Sequence, residues 1–159
     1  MVYALITVLL LLDLFTKGVA EATIKQGTTI PVIPDWLSWN VIHNSGASFG
    51  LLASHPYFIL AGSIATISLI FYLYVKSDTK GFAMKAGFAL IVSGAVGNLV
   101  NRAEFGYVTD FIQFRWWPAI FNVADIEIRA GTIMFLILFV SNRCKLLFGK
   151  SRDSCGWQK

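Results

Sequence analysis

Residues 57–75, "YFILAGSIATISLIFYLYV", run for nineteen positions without a charge. That is close to the ~20 apolar residues that carry a helix across a bilayer. The rest of the chain agrees. Of its 159 residues, 56% are hydrophobic and only 14% are charged, and the mean hydropathy is +0.65. Soluble domains hold about 45–50% apolar and about 25% charged residues. The reading is a membrane protein. The net charge of +4 does not indicate a nucleic-acid partner, because the basic residues form no arm and do not alternate with aromatics on a polar strand. Cys144 and Cys155 have no metal-ligand neighbours, so they read as free thiols and not as a disulfide or zinc framework.

Working outward from that run, three further stretches read as spans. Residues 2–20 carry Asp13 and Lys17, residues 82–101 carry Lys85, and residues 126–142 open with Glu127 and Arg129 before "AGTIMFLILFV". The expected fold is therefore an all-α membrane protein, a single domain over 1–159 with four transmembrane helices. Residues 1–12 resemble the core of a signal peptide, but no basic residue precedes them and "DLFTK" stands where a small-residue cleavage site would be. This segment is expected to stay in the mature protein. Four spans put both termini on one side, with the turn "KSDTKG". That side holds eight of the thirteen Lys and Arg (76, 80, 85, 143, 145, 150, 152, 159), which makes it cytoplasmic. The other side holds seven of the nine acids and Trp36, Trp39, Trp116 and Trp117, suited to an interfacial aromatic belt. The outer connection, about 21–56, contains "TTIPVI" and "LSWNVI". Their β-branched and aromatic content predicts short strands, a small extracytoplasmic platform. Ala61/Ala65 and Ser93/Gly97 are small-xxx-small pairs, expected to let helices pack closely.

Against this oily background Asp110 and Asp125 stand out. If the third helix runs outward and the fourth returns, both acids reach one membrane face. An acid at membrane depth costs roughly 2.5–3.5 kcal/mol and is a functional candidate by default. Capping of a helix N-terminus is the plain alternative for Asp125. It does not account for the polar groups nearby. Asn98 and Arg102, four apart, share a helical face, and Asn122 and Asp125 straddle a helix start. Together they predict a wet, polar notch. Two carboxylates held close in low dielectric share one proton, so the charged one can take a proton from water while the other polarises a carbonyl. No nucleophilic side chain or metal is needed. His43 and His55 both fall in the outer connection and read as structural, no serine has nucleophile-elbow context, and no HExxH-like spacing occurs.

"LLDLFTKG", "HNSGASFG", "GNLVNRAEFGYVTDF" and "FNVADIEI", in that order, resemble the lipoprotein signal peptidase (signal peptidase II) family. The resemblance implies an aspartic endopeptidase of the bacterial cytoplasmic (inner) membrane, with its active site at the outer face and no cofactor. It would remove signal peptides from prolipoproteins just before a diacylglyceryl-modified cysteine. The implied catalytic pair is Asp110 and Asp125. Asp13, Lys17, Asn44, Gly46, Gly94, Asn98, Arg102 and Asn122 match positions of substrate binding or site support. Implied partners are prolipoproteins, membrane lipids and inhibitors of the globomycin type. Three departures stand out: Asn101 where an aspartate is expected, Leu14 where a polar residue is expected, and a "FIQFRWWPAI" connection a few residues short. An ion carrier using Asp13, Lys17 and Asp125 as relays is the rival reading, and would spread polar groups through the bilayer's depth. A presenilin-type protease would need GxGD, which is absent. For a structural assembly factor, asparagine could replace either aspartate.

Overall fold

The computed structural model describes residues 1–46, 56–77 and 81–149. Eight elements follow in order: α1 (Val2–Thr23), β1 (Thr29–Ile33), β2 (Leu37–Asn44), α2 (Pro56–Lys76), α3 (Phe82–Phe105), β3 (Val108–Phe114), β4 (Ile120–Phe121) and α4 (Val123–Gly149). His55, Cys155, Trp157 and much of the basic turn and tail lie outside the described residues, as does the side chain of Cys144.

α1 shows why this is a membrane fold. Its buried residues, Asp13, Lys17 and Ala20, form one stripe at spacings of four and three, while Leu11 (59% exposed) and Phe15 (69%) face outward. A soluble amphipathic helix has the opposite arrangement. α2 touches the bundle through a stripe that includes Ile59, Ser63, Ile67, Ile70, Leu73 and Tyr74, while Ile64, Leu69, Phe71, Tyr72 and Val75 are exposed. α3 is central, packing against α1, α2 and α4.

By length and composition α1, α2 and α3 can cross a membrane. The expected fourth span is not established in the same way. Any eighteen-residue window within 123–141 of α4 contains Asp125, Glu127 and Arg129. The helices also outrun the expected spans at the sheet end. α3 continues past residue 101 to Phe105, where Gly106 adopts φ 79° and its N–H bonds the Arg102 carbonyl, a left-handed stop that glycine permits without strain. α4 begins at Val123, so Asp125 sits inside its first turn.

The small β platform expected from 21–56 is present within a mostly helical fold, but only half of its strands come from that connection. The sheet has four antiparallel strands in the order β1-β2-β3-β4, and β3 and β4 come from the connection between α3 and α4. In the register Ile42 pairs with Asp110 and Asn44 with Val108, while Ile112 pairs with Phe121. β3 is buried from Val108 to Ile112. Ala20, Ile24, Val41, Phe111, Ile112 and Phe121 bind the end of α1 to the sheet. At the far end Met84, Ile91 and Phe135 gather Ile70, Leu73 and Tyr74. The site lies between these two apolar clusters. Of the small-residue pairs, Ser93/Gly97 is buried in the bundle, but Ala61/Ala65 is exposed on α2 and joins no helices. Its positions fall outside the stripe that meets α3.

Candidate active site

The start of α4 is a reciprocal cap. Asp125 N–H donates to Asn122 Oδ1 at 3.0 Å, and Asn122 N–H donates to Asp125 Oδ2 at 3.3 Å. This is a capping box with asparagine as cap and aspartate as third residue. The capping role weighed for Asp125 is thus real, and it uses one carboxylate oxygen. The other, Oδ1, accepts from Asn98 Nδ2 at 3.0 Å.

Asp110 arrives from β3 on the opposite wall. Its Oδ1 accepts from Asn122 Nδ2 at 2.6 Å and its Oδ2 from Asn44 Nδ2 at 2.8 Å. Asn122, fully buried, therefore contacts both aspartates. Asn44 is steadied by the Gly46 N–H at 3.0 Å, and the Gly46 carbonyl accepts from Arg102 Nη2 at 2.9 Å. Arg102 also reaches the Asn98 carbonyl at 3.4 Å.

Beneath this lies a second tier. Lys17 Nζ donates to Asp13 Oδ2 at 2.7 Å and to Asn98 Oδ1 at 2.8 Å. Asp13 Oδ1 accepts the Ala124 N–H at 2.9 Å, so α1 caps α4 from the side and satisfies one of its orphan donors. Asn98 Oδ1 takes a further bond from Asn122 Nδ2 at 3.2 Å. Asp13 (0% exposed) and Lys17 (2%) form a pair inside the bundle whose remaining bonds go to α3 and α4, as a buried pair requires. Gly94 completes the seam, since a Cβ there would collide with the Ala124 carbonyl and lie 2.9 Å from Ile128. The sequence-predicted residues thus converge: all but Gly94 join one hydrogen-bonded network, and Gly94 makes room for it.

Asp110, Asp125, Asn44, Asn98 and Arg102 face a cleft of about 450 Å³ whose apolar walls include Ile59, Ile91 and Ile128, with Trp117 and Ile120 from the β3–β4 hairpin. Burial, reinforced by the charge of Asp125, pushes the Asp110 carboxyl up to about 6 from 3.8, against the lowering effect of its bonds to Asn44 and Asn122. A carboxyl that keeps a proton towards neutral pH, beside a second carboxylate in a cleft, is suited to acid–base chemistry.

Two features escaped the sequence reading. Glu127, two residues past Asp125, turns into the α3–α4 seam, where its Oε2 lies 2.9 Å from Ser93 Oγ and it is 4% exposed. Only the helical position of Ser93 opposite it could have signalled this. Glu21 Oε1 accepts from Thr109 Oγ1 at 2.7 Å and lies 2.9 Å from His43 Nε2. With His43 stacked on Tyr107 at 3.9 Å between centroids, this histidine ties α1 to the sheet, as a structural role requires. Of the three departures, Asn101 is buried near the Thr109 N–H (3.5 Å), and Leu14 lines a second cleft between α1 and α3, both away from the aspartates. The short connection forms the β3–β4 hairpin, held by the Arg115–Asp35 ion pair.

The family model described as signal peptidase (SPase) II matches residues 5–141. The lipoprotein signal peptidase of Halothermothrix orenii is 34% identical over 137 residues, covering 86% of this chain and 93% of that protein. That of Syntrophotalea carbinolica is 36% identical over 140 residues, covering 82% and 85%. A solved bacterial membrane enzyme, determined by the in meso method, superposes with a TM-score of 0.80 at 27% identity, covering 99% of this chain and 94% of the other.

Proposed function

The chain belongs to the signal peptidase II family, and from that premise we propose that it is an aspartic endopeptidase that removes signal peptides from prolipoproteins, cleaving before the diacylglyceryl-modified cysteine. The bundle is taken to span the bacterial inner membrane four times, α4 included, with both termini cytoplasmic and the sheet end outside. The observation that carries the reading is Asn122, whose Nδ2 holds Asp110 at 2.6 Å while its backbone N–H and Oδ1 engage Asp125. One buried residue thereby bonds to both aspartates at the cleft, which supports the paired reading.

In the proposed reaction a water between the two carboxyls loses a proton to Asp125 as its oxygen bonds the scissile carbonyl carbon. Asp110, the member whose burial favours the acid form, gives its proton to the carbonyl oxygen. The tetrahedral diol then collapses. The carbon–nitrogen bond breaks, the leaving nitrogen takes the proton from Asp125, and Asp110 recovers one from a hydroxyl. Both groups end as they began, and the products are a carboxyl-ended signal peptide and a lipidated cysteine with a free amine. Asp13, Lys17, Asn98 and Asn122 hold the geometry, while Asn44, Gly46 and Arg102 shape the wall the substrate meets. Inhibitors of the globomycin type would occupy the same cleft.

The test is cleavage of a purified, lipidated precursor. Asp110→Asn and Asp125→Asn each remove an acid–base group and are expected to lower the rate by about 10²–10⁴, with unfolding temperature and chromatographic profile retained. Wild-type rates from either folded variant would refute the paired-aspartate chemistry.

A further inference from the structure

Arg129 stands one helical turn below Asp125, and both line the same cleft. The i, i+4 spacing offers Arg129 a favourable ion pair with Asp125, yet none forms, and among the described residues no other carboxylate pairs with it. Instead its Cζ lies 5.3 Å from the centroid of the Phe121 ring, and Phe121 is itself buried in the sheet-side cluster. A guanidinium seated on an aromatic face is held in place while the N–H groups in its plane stay available. The side chain is exposed, so it presents a preset, unspent donor fork at the cleft wall.

The position of that fork follows from how the helices diverge. At the end remote from the sheet, Ile70, Leu73 and Tyr74 of α2 pack against the cluster of Met84 and Ile91 from α3 and Phe135 from α4. Nearer the sheet the cleft runs between α2 and α4, with Ile59, Ser63 and Thr66 on the α2 side and Ile128 and Arg129 on the α4 side. This gap opens the cleft sideways between the two helices. On the peptidase reading, on which this inference rests, the acyl chains of a substrate must leave the cleft through it.

We propose that Arg129 recognises the ester carbonyl groups of the diacylglyceryl modification and so acts as a specificity-determining residue. The spacing fits. Asp125 and Arg129 are one turn apart on α4, about 6 Å along the helix axis, and the Arg129 side chain turns back towards Phe121, which precedes α4, so the fork lies on the Asp125 side of that turn. In the substrate, seven bonds join the scissile nitrogen to the nearer ester carbonyl carbon, a reach of at most about 9 Å when extended. A neutral ester is also the polar group best matched to a cleft that already holds two carboxyl groups, which would repel an incoming phosphate. The fork can bond both carbonyls, whereas a lysine would offer a single point charge.

The experiment compares two synthetic precursors that differ only at the modified cysteine, one carrying a diacyl (ester) glyceryl group and the other a dialkyl (ether) group without carbonyls. Wild type is expected to prefer the ester by about 10-fold in kcat/KM, the size expected for hydrogen bonds to a charged donor. Arg129→Ala should raise KM for the ester by about the same factor and abolish the preference, and Arg129→Lys should recover part of it. Equal cleavage of ester and ether by wild type, or an ester preference that survives in a folded Arg129→Ala, overturns the proposal. Failure of wild type to cleave either precursor would instead defeat the peptidase reading, and this inference with it.

Discussion

Asn122 spends both of its amide hydrogens and its side-chain oxygen inside the site: Nδ2 on Asp110 and Asn98, Oδ1 on the Asp125 N–H. Among the described residues the Asp110 carboxyl is held by the side chains of Asn44 and Asn122, and its proton depends on how dry the cleft is. Its pKa of about 6 in the folded chain, against 3.8 when exposed, means that between these values the folded state binds more protons than the unfolded one. Stability therefore falls as pH rises through that window, by up to an order of 2–3 kcal/mol from this group. Wild type should lose thermal stability in detergent between pH 4 and pH 7 more steeply than Asp110→Asn, which has nothing to ionise there. Parallel slopes for the two proteins would show that burial does not govern this carboxyl. Residues of this kind were legible in the sequence because polar side chains are few in so apolar a chain, and Asp110, Asp125, Asn98 and Asn122 stood out for that reason. Glu127 was not legible. Beside Arg129 it read as the charged opening of a span, and only the rotation of α4 shows that it faces Ser93 while Asp125 faces Asn98.

At the scale of elements, the seam between α3 and α4 sets the aim of Asp125. Gly94 lets the first turn of α4 lie directly against α3, and a methyl group there would meet the Ala124 carbonyl and Ile128. Gly94→Ala is expected to destabilise by about 1–3 kcal/mol, the usual cost of overpacking, and to reduce cleavage by moving Asp125. Gly18 is the internal control. A methyl group there meets nothing within 4 Å, so Gly18→Ala should gain up to about 1 kcal/mol from helix propensity. Thermal unfolding of the two variants side by side decides this, and equal effects would remove the close approach from the account. The helices were readable from their apolar runs, though their sheet-side ends were not, because Thr23 and Phe105 extend α1 and α3 beyond the runs that hydropathy marks. β1 and β2 were readable from β-branched and aromatic content. β3 was not, since it is buried on both faces from Val108 to Ile112 and so lacks the alternation of a half-buried strand, with a buried carboxylate in its middle.

Across the whole molecule the distribution of side chains is inverted: Asp13, Lys17, Asn98, Asn122 and Glu127 are inside, while Leu11, Phe15, Phe71 and Ile137 are exposed. Such an arrangement is stable only where the surroundings are themselves apolar, and it places the polar network at the end of the bundle that meets the sheet. That end also carries exposed Trp36, Trp116 and Trp117, two of them on the β3–β4 turn and the third beside the Asp35–Arg115 ion pair that ties the two hairpins together. Indole rings prefer the headgroup level, where one edge is wet and the body is apolar. If the sheet end rests at the membrane surface, these rings should lie shallow. In vesicles of lipids brominated at either upper or middle acyl positions, with Trp39 and Trp157 replaced by phenylalanine, the remaining fluorescence should be quenched more strongly by the upper bromines. Stronger quenching by the middle bromines would bury the sheet in hydrocarbon. Quenching by neither would lift it into water, away from the depth at which a lipid-bearing cysteine could reach Asp110 and Asp125.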